Sequence, residues 1–316
     1  MTEAKAGVLS HIEQLKAENP NLVFSPAALE YLKKFDAGET DGISCWRVTT
    51  VERKPGSEIQ GVGLFAKADI EANSVIAIKP GRVVSAITVR ENTEVIKGSH
   101  QQIGQNSFLT GLTPQEVDKN LVGYNHSCDP NAKVAVQDGL DLAFLVSKKP
   151  IKKGEEITAD YSTSQASNTH RIFFCQCKNE NCRHLIQPGY DWQNEQFQSD
   201  HFEDFPYFIK EKIAKFQSLP EHMQKYEKRV YLFFKCADMM ALLSDALGEN
   251  PSNLKIDNDR EYCEKMLNEY AQALAKLCPF NGNLEDMGID PDQPETVTTH
   301  LQELVDFARN IDRTFN

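Results

Sequence analysis

The 316-residue chain is 40% hydrophobic and 25% charged, the makeup of an ordinary globular protein with room for one large domain or two small ones. A net charge of −12 and a pI near 5.2 argue against direct nucleic-acid binding, which needs a basic footprint, and suit a basic peptide partner or simply solubility. No apolar run is long enough to span a bilayer, and no apolar signal core follows Met1, so no membrane association is expected. An intracellular, reducing compartment (cytoplasm or nucleus) is expected instead, where closely spaced cysteines favour metal over disulfides.

Residues 1–42 read as a helical segment. Leu9, Ile12 and Leu15 recur at helical spacing, and Leu29, Leu32 and Phe35 do so again over residues 26–35. Ser25 before Pro26 is an N-cap followed by proline at the first helical position. From residue 43 to Tyr161 the runs turn short and β-like, broken by Gly, Pro and Asn. Strands are expected over residues 45–51, from Gly61 through Phe65, and over residues 75–78 and 82–87. Asp138-Gly139 between residues 133–136 and 142–146 signals a hairpin, and Lys153-Gly154 turns into a last strand, residues 156–161. Beyond Tyr190 amphipathic helices are expected over residues 208–216, 226–247, 260–277 and 297–311. These make a helical C-terminal module, residues 189–316, suited to a substrate platform or a homodimer interface.

Four clusters carry chemistry. Cys175-Gln176-Cys177 with Cys182 puts three thiols close together, and a structural zinc takes four ligands. Three buried free cysteines are the bland alternative. Asn125-His126-Ser127-Cys128-Asp129-Pro130-Asn131 has turn chemistry that displays Asn125 and His126, with Cys128 as candidate for the fourth ligand. Taken alone, His126 is an ordinary core histidine and Cys128 an ordinary thiol. Gly61-Val62-Gly63 lets a ligand approach the backbone, or merely bends a strand; no helix pattern follows it, so it is not a dinucleotide fingerprint. Glu155-Glu156-Ile157-Thr158-Ala159-Asp160-Tyr161 reads as a strand ending in a tyrosine.

In this order, GVGLFA, YNHSCDPN, GEEITADY and CQC-x4-C resemble the SET-domain protein-lysine methyltransferases with a post-SET zinc motif, over about residues 43–186. The resemblance implies an α+β fold. Its parts are a helical N-terminal flank, a β-rich SET domain (43–165) with pseudoknot-like threading, a post-SET zinc loop (166–188) and the helical C-terminal module. It implies S-adenosylmethionine and zinc as cofactors and a lysine side chain of a protein or peptide, histone or not, as substrate. Gly61, Val62, Gly63, Leu64, Asn125, His126 and Tyr161 would bind the cofactor, with Phe174 and Leu185 covering the adenine. Tyr161 would be catalytic. Cys128, Cys175, Cys177 and Cys182 would hold zinc. Tyr124 and Ala159 would border the lysine channel, on the argument that Ala159 and Tyr161 share one face of a strand.

The pattern departs from the family in three places. No tyrosine lies between Tyr31 and Tyr124, and Tyr124 stands where an aliphatic residue is commoner. His184 stands where glycine often follows Cys-Arg, and Ala159 where Phe or Tyr is usual. Two other functions share the motifs: a modifying enzyme for a peptide natural product or a single dedicated protein, and a non-catalytic SET-like module that holds peptides.

Overall fold

The computed structural model describes residues 7–228 except Asn168, His170, Arg171, His222 and Tyr226, together with Lys235 and Asp238. The helices expected over 260–277 and 297–311, and nearly all of 226–247, lie outside the described residues. The chain divides into a compact unit ending at Lys215 and a second beginning at Phe216. The first unit therefore runs past the composition shift at Pro188 and keeps residues 189–215 with the β-rich part.

Two helices open it, α1 (Val8–Glu18) and α2 (Pro26–Asp36). Ser25 caps α2 as expected: its hydroxyl accepts the Ala28 N–H at 3.2 Å. Ile12, Leu15, Ala28 and Leu32, each no more than 2% exposed, pack with Val75, Ile78, Leu142 and Phe144. Phe24 meets Phe144 edge-on at 5.6 Å.

The strands are β1 (Trp46–Arg47), β2 (Val51–Pro55), β3 (Val62–Ala66), β4 (Val75–Lys79), β5 (Arg82–Val84), β6 (Gln101–Gln102), β7 (Phe108–Thr110), β8 (Asn125–His126), β9 (Ala132–Val136), β10 (Ala143–Ser147), β11 (Glu156–Ala159), β12 (Phe173–Phe174) and β13 (Leu185–Ile186). The main sheet has the order β1-β4-β10-β9-β11-β3-β2, with β8 beside β11; β5-β7-β6 and β12-β13 form two smaller sheets. All five residues of β4 and of β10 are buried, because α1 and α2 cover one face and the central core the other. The hairpin forms where Asp138-Gly139 placed it, Ala143 opposite Val136, with Gly139 at φ 73°.

Several expectations are corrected. The run 45–51 is two strands separated by a turn. The run 82–87 ends as a strand at Val84, because Ser85 caps α3 (Ala86–Glu91) by accepting the Thr88 N–H at 3.2 Å. Two more helices, α4 (Thr93–Ile96) and α5 (Pro114–Asn120), interrupt what reads as an all-β stretch. After β13 come α6 (Glu195–His201) and α7 (Tyr207–Ser218), the latter covering the expected 208–216.

Strand β11 positions everything that follows. It lies antiparallel to β3 (Ile157 opposite Leu64) and parallel to β8 (Thr158 opposite Asn125, Ala159 opposite His126) and β9 (Ala159 opposite Ala132). Segments far apart in sequence thus meet on one strand.

Candidate active site and four-cysteine centre

The loop before β3 is tied to itself and to β11. Gly56 and Ser57 donate their N–H groups to Gly61 O at 3.0 and 3.2 Å, and Gly61 needs its φ of 50° to close that turn. Asn125 Nδ2 has Glu156 Oε1 at 2.8 Å, Val62 O and Ser57 Oγ at 3.1 Å, and Gln60 O at 3.2 Å, so its two hydrogens are shared among four acceptors. Ser57 Oγ in turn donates to the Glu156 carboxylate at 2.8 Å. A Cβ at Gly63 would meet that carboxylate at 2.4 Å and displace it from Asn125 and Ser57. Ser57 and Glu156 are site residues that the sequence reading missed.

Val62 is 46% exposed beside this network. Leu64 is fully buried in the central core, and its backbone pairs with both β2 and β11.

Tyr161 lies just past β11. It opens a 3-10 turn (Tyr161–Thr163) in which the Asp160 carboxylate accepts the Ser162 N–H at 3.0 Å. The same-face argument linking Ala159 and Tyr161 therefore fails, since the chain leaves the strand between them. Ala159 is 1% exposed and belongs to the central core, against which Tyr124 packs. A cavity of about 50 Å³ is lined by both tyrosines but not by Ala159.

The Tyr161 hydroxyl donates to the Tyr124 carbonyl at 3.0 Å, and the Tyr124 hydroxyl donates to Gln101 Oε1 at 3.1 Å. Burial, and then the Glu156 charge, pushes the Tyr161 hydroxyl above the usual phenol range, so it stays protonated. Its ring meets those of His126 (5.4 Å), Tyr124 and Phe173 (both 5.9 Å). Phe173 also stands edge-on to His126 at 5.4 Å. The residue on Tyr161 and His126 is thus Phe173, one before the Phe174 singled out by sequence. Phe174 pairs across the β12-β13 ladder with Leu185, so those two do sit together.

His126 is 3% exposed and links two sites. The Tyr161 N–H donates to His126 Nδ1 at 3.2 Å, which leaves the ring proton on Nε2, 3.5 Å from Cys128 Sγ. With Nδ1 accepting, its 3.6 Å approach to Asp160 Oδ1 is not an ion pair.

The ligand atoms of Cys128, Cys175, Cys177 and Cys182 all lie within 4.8 Å of one another. Cys128 Sγ is 3.8 Å from Cys175 Sγ and 4.0 Å from Cys182 Sγ. Zinc–thiolate bonds of about 2.3 Å in a tetrahedron space the sulfurs about 3.8 Å apart. The group fits a metal and not a pair of disulfides. N–H groups of Arg183 and His184 reach Cys128 Sγ and Cys182 Sγ, both at 3.4 Å, as they do around thiolates. His184 has φ 60°, the left-handed conformation that glycine adopts without strain, which accounts for the usual glycine there.

Arg183 fastens this corner to the end of β11. Its Nη2 donates to both Asp160 oxygens at 2.7 Å, and Asp160 is 2% exposed. Nη1 lies 3.8 Å from Asp191 Oδ2, and the guanidinium stacks 4.7 Å over Phe197. Burial opposes its charge, but Asp160 and then Asp191 outweigh that and hold its pKa above the ordinary arginine range. Nothing in the sequence reading pointed to Arg183.

The SET domain family matches residues 61–162. Residues 61–162 are a SET domain. The human histone-lysine N-methyltransferase 2D is 30% identical over 135 residues, 40% of this chain but 2% of that protein. The Saccharomyces cerevisiae histone-lysine N-methyltransferase, H3 lysine-36 specific, is 31% identical over 131 residues, 39% of this chain and 17% of its own. The probable histone-lysine N-methyltransferase set-23 of Caenorhabditis briggsae is 28% identical over 138 residues, 40% of this chain and 56% of its own. The chain thus spans a small part of the first of these relatives. A solved structure of KRYPTONITE with mCHH DNA, an H3(1-15) peptide and SAH aligns at 20% identity and a TM-score of 0.32, over 43% of this chain and 29% of that one.

Proposed function

We propose that this SET domain transfers a methyl group from S-adenosylmethionine to a lysine ε-amine of a protein, and that its four cysteines hold zinc. The observation that carries the reading is the pairing of β8 with β11. It sets Asn125, His126 and Tyr161 side by side, next to the Gly61–Gly63 edge and to the cysteine group.

The backbone of Gly61, Val62 and Gly63, with Asn125 and His126, holds the amino-acid part of the cofactor, and Phe174 with Leu185 covers its adenine. The bound cofactor supplies a methyl group on a sulfonium, a good leaving group. Tyr161 keeps its proton on the Tyr124 carbonyl and presents its oxygen to the polarised methyl by weak C–H···O contacts. The cavity beyond Tyr161 and Tyr124 receives the amine, and positioning of this kind supplies about 7–11 kcal/mol in well-oriented systems. The net charge of −12 suits a basic peptide substrate.

The test is calorimetric titration with S-adenosylmethionine. Asn125→Ala is expected to weaken binding at least tenfold, about 1.4 kcal/mol, because four acceptors of the loop lose their donor together. Equal affinity in the variant would contradict the placement of the cofactor.

A further inference from the structure

Methyl transfer needs a neutral amine, and free lysine, with a pKa of about 10.4, arrives as an ammonium. None of the residues above is a base: Tyr161 is held protonated, and the His126 ring nitrogens are engaged by Tyr161 N–H and Cys128. Two further titratable side chains line the acceptor cavity: His100, whose Nε2 is tied to Thr169 Oγ1 at 3.0 Å, and an amine. Lys79, the last residue of β4, is 5% exposed and lines the cavity with His100, Tyr124 and Tyr161.

Two partners hold its Nζ. It donates to the Asn120 carbonyl at 2.9 Å and to Asn120 Oδ1, at the end of α5. Asn120 is itself fixed, donating from Nδ2 to Ile43 O at 3.0 Å and to Pro80 O. A neutral amine has two N–H groups and one lone pair. Asn120 takes both N–H groups, which leaves the lone pair over; in the ammonium form a third N–H is left instead. The titratable groups around Lys79 are the Cys45 thiol, which burial keeps protonated, and the Arg47 guanidinium; among the described residues no carboxylate pairs with it. In the same cavity wall Ser99 Oγ and Gln165 Oε1 have no hydrogen-bond partner among the described residues, so the wall offers polar stations for water.

Resting on the methyltransferase reading, we propose that Lys79 is the general base of the acceptor cavity. The substrate ammonium gives one proton to the Lys79 amine, directly or through one water, and Lys79 becomes the ammonium. The freed nitrogen lone pair forms the bond to the methyl carbon as the carbon–sulfur bond breaks, its electron pair staying on sulfur. The product is a methylammonium, and Lys79 returns its proton to solvent through the cavity mouth. Burial is the main cause that lowers the basicity of Lys79, with Arg47 acting the same way and Cys45 opposing; its pKa falls from the ordinary 10.5 to about 8. A base of that strength is partly neutral at physiological pH, which an exposed lysine is not.

The test is the pH profile of single-turnover methyl transfer by wild type, Lys79→Met and Lys79→Gln, each saturated with S-adenosylmethionine. Glutamine can still donate to Asn120 but cannot take a proton. Both variants are expected to bind the cofactor as wild type does. At neutral pH they should be slower by on the order of 10²–10³-fold, and should recover towards about pH 10, where the substrate amine deprotonates unaided. The wild-type profile alone gives a second readout: it should bend near pH 8. Profiles that run parallel in all three proteins, or a wild-type rate that climbs unbent towards about pH 10, would overturn the proposal and leave the methyltransferase reading standing. No transfer by wild type at any pH would overturn both.

Discussion

Two ends of the first unit are built on different principles. At the N-terminal end, α1 and α2 rest on β4 and β10 through fully buried aliphatic and aromatic side chains, and among the described residues their ion pairs stay within the helices. At the other end, the segment from β12 to the turn at Asp191–Gln193 has two-residue strands, three thiols that converge with Cys128, and the half-buried Arg183 guanidinium paired with the buried Asp160. The first region is stabilised by area removed from water and tolerates changes of pH, redox state and metal supply. With zinc held as proposed, the second depends on all three. Because Phe173 of that segment lies on both Tyr161 and His126, and Cys128 lies beside His126, the conditional region is the one next to the proposed methyl-transfer centre.

Removing the metal should expose the contrast most strongly. A chelator, or Cys177→Ser, is expected to melt the β12-β13 corner and weaken S-adenosylmethionine binding, while far-ultraviolet circular dichroism of the sheet is retained. Structural zinc sites contribute on the order of 10 kcal/mol where folding depends on them, so the local effect should be complete. Metal analysis should give one zinc per chain. Full cofactor affinity in zinc-free protein would dissolve the distinction between the two regions.

Single side chains sharpen it. Arg183→Met leaves Asp160 buried without its partner, which costs about 3–5 kcal/mol; the expected result is loss of cofactor affinity and faster metal release to a chelator. Leu32→Ala opens a cavity under α2 and costs about 2–5 kcal/mol in global unfolding, yet should leave cofactor affinity and metal release unchanged below the melting transition. Denaturant titration with parallel calorimetry separates the two outcomes.

The same division governs how much could be read from the sequence. Local signals held up: Ser25 caps α2, Asp138-Gly139 turns the β9-β10 hairpin, and the four cysteines converge. Helix α5 was legible but unread, since Thr113-Pro114 with Glu116 is a capping pattern and the Thr113 hydroxyl does accept the Glu116 N–H at 3.2 Å. Arg183 and Lys79 were not legible. Each is an ordinary charged residue until distant partners, Asp160 for one and Asn120 for the other, bury it. Ala159 misled because period-two alternation holds only inside a strand, and β11 ends at Ala159.

The central claim is that Tyr161 stands at a methyl-transfer centre. It is tested most directly by mass spectrometry of lysine-containing protein substrates after incubation with S-adenosylmethionine, wild type against Tyr161→Phe. The wild type is expected to add methyl groups to a lysine side chain. The variant, lacking one hydroxyl at the reacting centre, should be slower by on the order of 10²-fold while binding the cofactor with nearly unchanged affinity. Equal rates in the two proteins, or a methyl group found on a residue other than lysine, would contradict the account.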